Sequence, residues 1–246
     1  MRKTWTNLLA VALILGWCGG ARAEKKDEAR AILTKAIDAA GGAAKLEKQK
    51  AATFKEKGTY YGMGDGGLPY TGKYSLQFPG QFRMEIEGVF TMVLDGDKGW
   101  IKSPEGTKDM DAKQVAAERF AHRAGWMASL IPLQDKAFTL TVVDGIKVDD
   151  KPTVGLKATR KDYPQVLLYF DKTSNLLVKS EFKTESAELM FKVVTMEVFY
   201  SNHKEVDGAK VPTRIVLKRD GKKYVEAEVL EYKAEGKLDQ KVFAKP

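Results

Sequence analysis

From residue 73 onward, short runs of side chains alternate apolar and polar with a period of two, the period of a strand that buries one face. Tyr74, Leu76 and Phe78 alternate with Lys73, Ser75 and Gln77, and Phe82, Met84 and Ile86 alternate with Arg83, Glu85 and Glu87. Comparable runs cover 138–143, 153–160, 165–171, 176–183, 189–201, 211–219 and 224–232. Asp95-Gly96, Asp144-Gly145, Asp207-Gly208 and Asp220-Gly221 punctuate them, and Asp-Gly is the pair that supplies the positive φ angles of a tight hairpin. The pattern predicts an antiparallel meander. No repeat or linker divides it, so 24–246 reads as a single domain, with Gly62–Gly67 as its flexible loop.

Two segments follow the helical period instead. Ala29, Ile32, Leu33, Ala36, Ile37 and Ala40 form an apolar stripe that Gly41-Gly42 terminates, and 43–48 adds a turn or two. Residues 111–130 form the second helix, with Ala116, Phe120, Ala124, Met127 and Ile131 on one side, Trp126 and Leu130 widening it, and Pro132 closing it. Helix, strands, helix, strands, with each helix apolar on one side, implies a mainly β fold of the α+β kind. A curved sheet then has helices lying across its concave face. Such a sheet encloses either a packed core or a binding cavity.

Composition narrows the chemistry. Apolar residues make up 43% of 246, enough for a substantial core. A net charge of +8, spread along the chain with Lys and Glu interleaved, gives no nucleic-acid footprint. One Cys and two His argue against a zinc site, a disulfide framework or a thiol nucleophile. No Gly-x-Ser-x-Gly occurs. Glu118 and His122 stand four apart but make only two metal ligands; His122 and His203 are read as surface or capping residues. Asp171, Thr173 and Asn175 read as a hairpin turn, and Asp149-Asp150 as a turn too. No enzyme, cofactor or metal is expected.

Arg2 and Lys3, the apolar run 8–17 and the small-x-small triplet Ala21-Arg22-Ala23 read as an export signal cleaved before Glu24. Trp17 in front of Cys18 argues against a lipid-anchored N-terminus. The expected location is outside the cytoplasm, in the periplasm.

The segments Phe78-Pro79-Gly80-Gln81-Phe82-Arg83-Met84 and Val93-Leu94-Asp95-Gly96-Asp97-Lys98-Gly99-Trp100 resemble the strand pair of periplasmic outer-membrane lipoprotein carriers, the LolA-like family. The likeness in organisation extends over most of 25–246, including Leu168-Tyr169-Phe170-Asp171 followed by Leu176-Leu177-Val178-Lys179. It implies an unclosed antiparallel β-barrel, a curved half-barrel with a helical lid. Its apolar interior would carry the acyl chains of a lipoprotein, or a related hydrophobic ligand, towards the outer membrane. The implied partners are an inner-membrane donor and an outer-membrane acceptor, with the carrier a monomer. One position departs: the carriers place an Arg before the Pro and this chain has Phe78, so their lid gating does not transfer. Arg83, alternating with Phe82 and Met84, points away from them and is no substitute.

An acyl carrier needs apolar area, worth about 0.8 kcal/mol for each methylene it buries. The residues expected to provide it are Tyr74, Leu76, Phe78, Phe82, Met84 and Ile86 on the first strands. Trp100, Phe120, Trp126 and Met127 follow in mid-chain, and Phe170 and Phe191 on later strands. Residues 189–200 are apolar in both registers, which predicts a strand covered on both faces or an exposed docking patch. The alternative function is a periplasmic sensor of the same fold that binds lipidated or misfolded envelope proteins.

Overall fold

The structure, a computed structural model, describes residues 18–63 and 66–246, with side chains from residue 26 on. The charged start and apolar run of the expected export signal, its cleavage-site side chains, and Gly64-Asp65 of the glycine loop lie outside the described residues. The described residues begin with helix α1 (Cys18–Ala39), helix α2 (Ala43–Glu47) and a 3-10 turn (Lys48–Lys50). Six strands follow: β1 (Ala51–Tyr60), β2 (Leu68–Gln77), β3 (Gln81–Ile86), β4 (Phe90–Asp95), β5 (Lys98–Ser103) and β6 (Gly106–Asp109). Helix α3 (Ala112–Ala128) leads to β7 (Thr139–Val143), β8 (Lys147–Val148), β9 (Lys151–Thr159) and β10 (Val166–Asp171). The chain continues through β11 (Leu177–Ser186), β12 (Lys192–Val206), β13 (Ala209–Arg219) and β14 (Lys222–Glu235).

All strand pairs are antiparallel, in the order β6-β5-β4-β3-β2-β1-β14-β13-β12-β11-β10-β9-β7, with β8 paired to β9 alone. The first and last strands meet, β1 on β14, so two meanders join into one sheet. Its edges, β6 and β7, do not pair with each other, which leaves the barrel unclosed.

Local chemistry accounts for most boundaries. Gly41 carries φ +116 at the end of α1, and a Cβ there would sit 2.3 Å from the Gly208 carbonyl oxygen, so only glycine permits the stop. That approach seats α1 on the β12–β13 turn, where the Lys210 amide donates to the Ala40 carbonyl at 2.9 Å. Asp207-Gly208 and Asp220-Gly221 hold positive φ at both positions, as two-residue hairpins require, and Asp149-Asp150 does the same between β8 and β9. Asp144-Gly145 instead crosses from β7 to β8 without a positive φ and makes no hairpin. Asp171 caps the β10–β11 turn, its Oδ1 accepting from the amides of Thr173 and Ser174 and from the Ser174 hydroxyl.

Helix α3 starts at a capping box: the Asp111 carboxylate accepts from the Gln114 amide and the Gln114 side chain accepts from the Asp111 amide. Its buried residues are Val115, Ala117, Ala124 and Met127, whereas Ala116, expected inside, is exposed. The expected strand start at 189 is also corrected. Ala187–Leu189 form a 3-10 turn and Met190 and Phe191 are left-handed, so the apolar triplet is a hairpin tip with Met190 91% exposed.

The core lies on one half of the concave face. Ala29, Leu33, Ala36 and Ile37 of α1, with Ala124 and Met127 of α3, bury Leu140, Leu156, Ala158 and Leu168 of β7, β9 and β10. Small residues on α1 let its backbone approach the sheet closely. The Arg30 guanidinium fastens α1 further by donating to the carbonyls of Leu133 and Phe138, the latter at 2.7 Å.

Candidate functional site

Residues in register across antiparallel strands share a face, so the helix-covered side can be followed from strand to strand. It runs from Leu156 in the core through Leu168, Ser180, Val198, Leu217 and Val225 to Tyr60 of β1. On β1 the same face carries Ala52, Phe54 and Glu56. Tyr74 and Leu76 of β2, Phe82 and Met84 of β3, and Met92 of β4 continue it, and Ile86 joins through Gly72. The structure therefore brings Tyr74, Leu76, Phe82, Met84 and Ile86 together on the concave side. All five are half-buried, in contrast to the filled half.

Aromatic rings pave this hollow. Tyr232 of β14 stacks on Phe54 at 6.0 Å between centroids, Phe54 stacks on Tyr74 at 4.7 Å, and Tyr74 lies 6.1 Å from Phe82. Phe82 meets His122 of α3 edge to face at 4.0 Å. Farther along α3, Trp126 stands between Phe78, which lies in the β2–β3 turn beyond the strand, and Tyr163. Phe120 is half-buried on the same helix.

Four expected site residues lie elsewhere. Trp100 is in register with Val93 and, through it, with Arg83, which puts it on the opposite face of the sheet. The C-terminal 3-10 turn (Gln240–Phe243) packs on β3 and β4, and Phe243 and Val93 are fully buried. Met127 and Phe170 are fully buried in the filled half and serve as packing. Phe191 sits at the β11–β12 tip beneath the Lys113 ammonium, 4.1 Å from its ring centroid. Arg83 points away from Phe82 and Met84, pairing with Glu85 at 3.4 Å.

The hollow also contains polar groups that the strand pattern does not flag. Glu56 is buried, and its Oε1 accepts from the hydroxyls of Tyr70 and Tyr74, each at 2.7 Å. Burial raises its pKa against the lowering effect of those two bonds, and burial beside Glu56 raises both tyrosines. His122, read as a surface or capping residue, is half-buried with its Nε2 closed off from water. Burial lowers its pKa to about 4, so the ring is neutral, and among the described residues neither its Nε2 nor Trp126 Nε1 has a partner. Burial, with the Glu188 charge second, raises Glu118, one turn before His122. Among the described residues no third ligand joins Glu118 and His122 to form a metal centre.

At the α2 end of the sheet a cleft of about 150 Å³ opens between Leu46, Gln49, Leu130, His203, Pro212 and Tyr232. His203, expected near a turn, lies within β12. Burial lowers its pKa, and the neighbouring Leu177 backbone opposes that shift. A shallow polar depression of about 780 Å³ on the outer face is lined by Lys57, Thr71, Arg214, Glu226 and Glu228. These alternate with the concave-face residues and belong to the solvated side.

No family model and no curated protein matches the sequence. Solved structures do match. A LolA superfamily protein from Nitrosomonas europaea superposes with a TM-score of 0.56 at 15% identity, covering 88% of this chain and 97% of that one. A DUF1329 family protein from Desulfovibrio piger gives 0.57 at 13% identity, with the same coverage of both chains. A candidate outer membrane lipoprotein-sorting protein domain from Vibrio parahaemolyticus gives 0.56 at 10%, covering 89% and 97%. Open sheet, strand order and covering helices together make this chain a LolA-like fold.

Proposed function

We propose that the protein is a periplasmic carrier that takes the acyl chains of a lipoprotein, or a related apolar ligand, into the concave hollow and passes them towards the outer membrane. The observation that carries this reading is the contrast between the two halves of one face. α1 fills one half to core density, whereas Phe54, Tyr74, Phe82 and Met84 stay half-buried on the other. Apolar area left partly wet on the inner side of a sheet is area that a hydrocarbon chain can dry, at about 0.8 kcal/mol per methylene. Met84 and Met92 give this wall adaptable side chains.

The cleft at its end, about 150 Å³, is the size of an apolar cavity that holds a benzene ring. A whole chain therefore enters as α3 lifts from β2 and β3. The step is physical transfer, with no covalent intermediate and no cofactor. An inner-membrane donor and an outer-membrane acceptor complete the route, and the carrier works as a monomer after its signal is removed before Glu24.

The test is mass spectrometry of organic extracts from protein exported and purified without detergent, beside a periplasmic control of the same size. A near-stoichiometric acylated species is expected. An extract without one, together with failure of added lipids and lipopeptides to bind, would overturn the carrier reading.

A further inference from the structure

We propose that the cleft beside α2 receives the carbonyl end of an amide-linked acyl chain, with Gln49 Oε1 accepting from the N–H of that amide. This deepens the carrier reading and rests on it.

Gln49 lies in the 3-10 turn between α2 and β1, lines the cleft, and is only 7% exposed. Neither its Oε1 nor its Nε2 has a hydrogen-bond partner among the described residues. A primary amide buried with both ends unmet costs free energy, and a chain that needed only packing would place Leu or Met there. The other polar groups of the cleft are largely engaged. The Tyr200 hydroxyl is 2.9 Å from the Ser180 hydroxyl, and the Ser129 hydroxyl donates to the Trp126 carbonyl at 2.6 Å. The rest of the lining is mostly apolar, Ala40, Leu46, Leu130 and Pro212 with the Tyr232 ring, beside Lys210 and His203. What the cleft offers is therefore the unpartnered amide of Gln49 within a mostly apolar lining.

The complement is an acyl group that carries a donor for Oε1. A secondary amide has that N–H, whereas an ester and a hydrocarbon have none. Tyr232 supplies the continuation. Its ring borders the cleft and stacks on Phe54, which stacks on Tyr74, so a chain attached to the carbonyl runs onto the aromatic floor of the hollow.

Two probes of equal chain length decide the matter: N-methyl-dodecanamide, and N,N-dimethyl-dodecanamide, which lacks the N–H. Each is titrated by displacement of a fluorescent fatty acyl probe from the mature protein. The wild type is expected to bind the secondary amide about fivefold more tightly, the worth of one neutral hydrogen bond. Gln49→Leu is expected to bring the ratio to about one while the protein melts no lower than wild type, with Gln49→Met as the second variant. Equal affinities in the wild type, or a preference that survives in folded Gln49→Leu, would overturn the proposal and leave the hollow standing. If neither amide displaces the probe and the probe itself does not bind, the carrier reading fails instead.

Discussion

Met84→Glu separates ligand capture from folding. Met84 sits in register between Tyr74 and Met92 in the middle of the hollow, half-buried, where a new carboxylate keeps its access to water. The fold should therefore lose only about 1 kcal/mol, the ordinary cost of a substitution that breaks no buried network. A bound chain fares worse. The hydrated carboxylate holds water over about three methylenes that Met84 would have dried, at about 0.8 kcal/mol each. That sum, about 2.4 kcal/mol, weakens binding about fiftyfold. Ser75→Glu is the control, because Ser75 adjoins Tyr74 but pairs with Arg83 on the other face and should leave affinity unchanged. The assay is displacement of a fluorescent fatty acyl probe, with thermal melts of both variants. A folded Met84→Glu protein that binds within twofold of wild type would refute the assignment of this face as the chain-binding wall.

Other perturbations test the frame. Gly41→Ala places a Cβ against the Gly208 carbonyl at a φ of +116 and should cost about 2 kcal/mol or more in denaturant unfolding. His122 has a folded pKa of about 4 against an ordinary value of 6.5, so the unfolded chain takes up a proton first. Its contribution is complete above pH 6.5 and is lost, about 3 kcal/mol in all, as pH falls towards 4. Glu56 and Glu118, raised by burial, act in the opposite sense, so the difference between wild type and His122→Phe in unfolding at pH 7 and pH 4 isolates the histidine. Asp171→Ala removes the acceptor for two amides and a hydroxyl in the β10–β11 turn and should cost about 1 kcal/mol, read from the urea midpoint.

The sheet is legible in the sequence because its inner face alternates cleanly. Seven later runs fall within a few residues of observed strands, and two of the four Asp-Gly pairs hold the two-residue hairpins that their chemistry demands. The departures have local causes. The run at 189 carries the alternation into Leu189, Met190 and Phe191, but the backbone turns left-handed there and the triplet caps a hairpin. Strand β1 is hidden because Glu56 occupies an inward position, and its apolar period resumes only if the two tyrosine hydroxyls that satisfy that carboxylate are known. Size and motif favour Trp100 as a lining residue, whereas its register with Val93 sends it outward. Gln49 and Tyr232 cannot be linked from the sequence at all. They are brought together only when β14 pairs with β1, across most of the chain.

The two halves of the concave face differ in what their covering helix brings. α1 offers Ala29, Ala36 and Ala40, small enough for close approach, and its polar Arg30 finds backbone carbonyls at its edge. α3 offers Ala124 and Met127 to that same filled half, but its stripe through Glu118, His122 and Trp126 faces the aromatic hollow with polar atoms that the sheet does not satisfy. Those atoms are buried unmet, which makes the packing of this face of the helix less favourable than that of its core-facing side. Lifting this face would let water or a ligand reach His122 Nε2 and Trp126 Nε1, which offsets part of the cost of uncovering Phe82. The residues that stabilise the fold and those that would admit a chain thus interleave along one helix and are separated by face, Ala124 and Met127 on the core side and His122 on the side of Phe82.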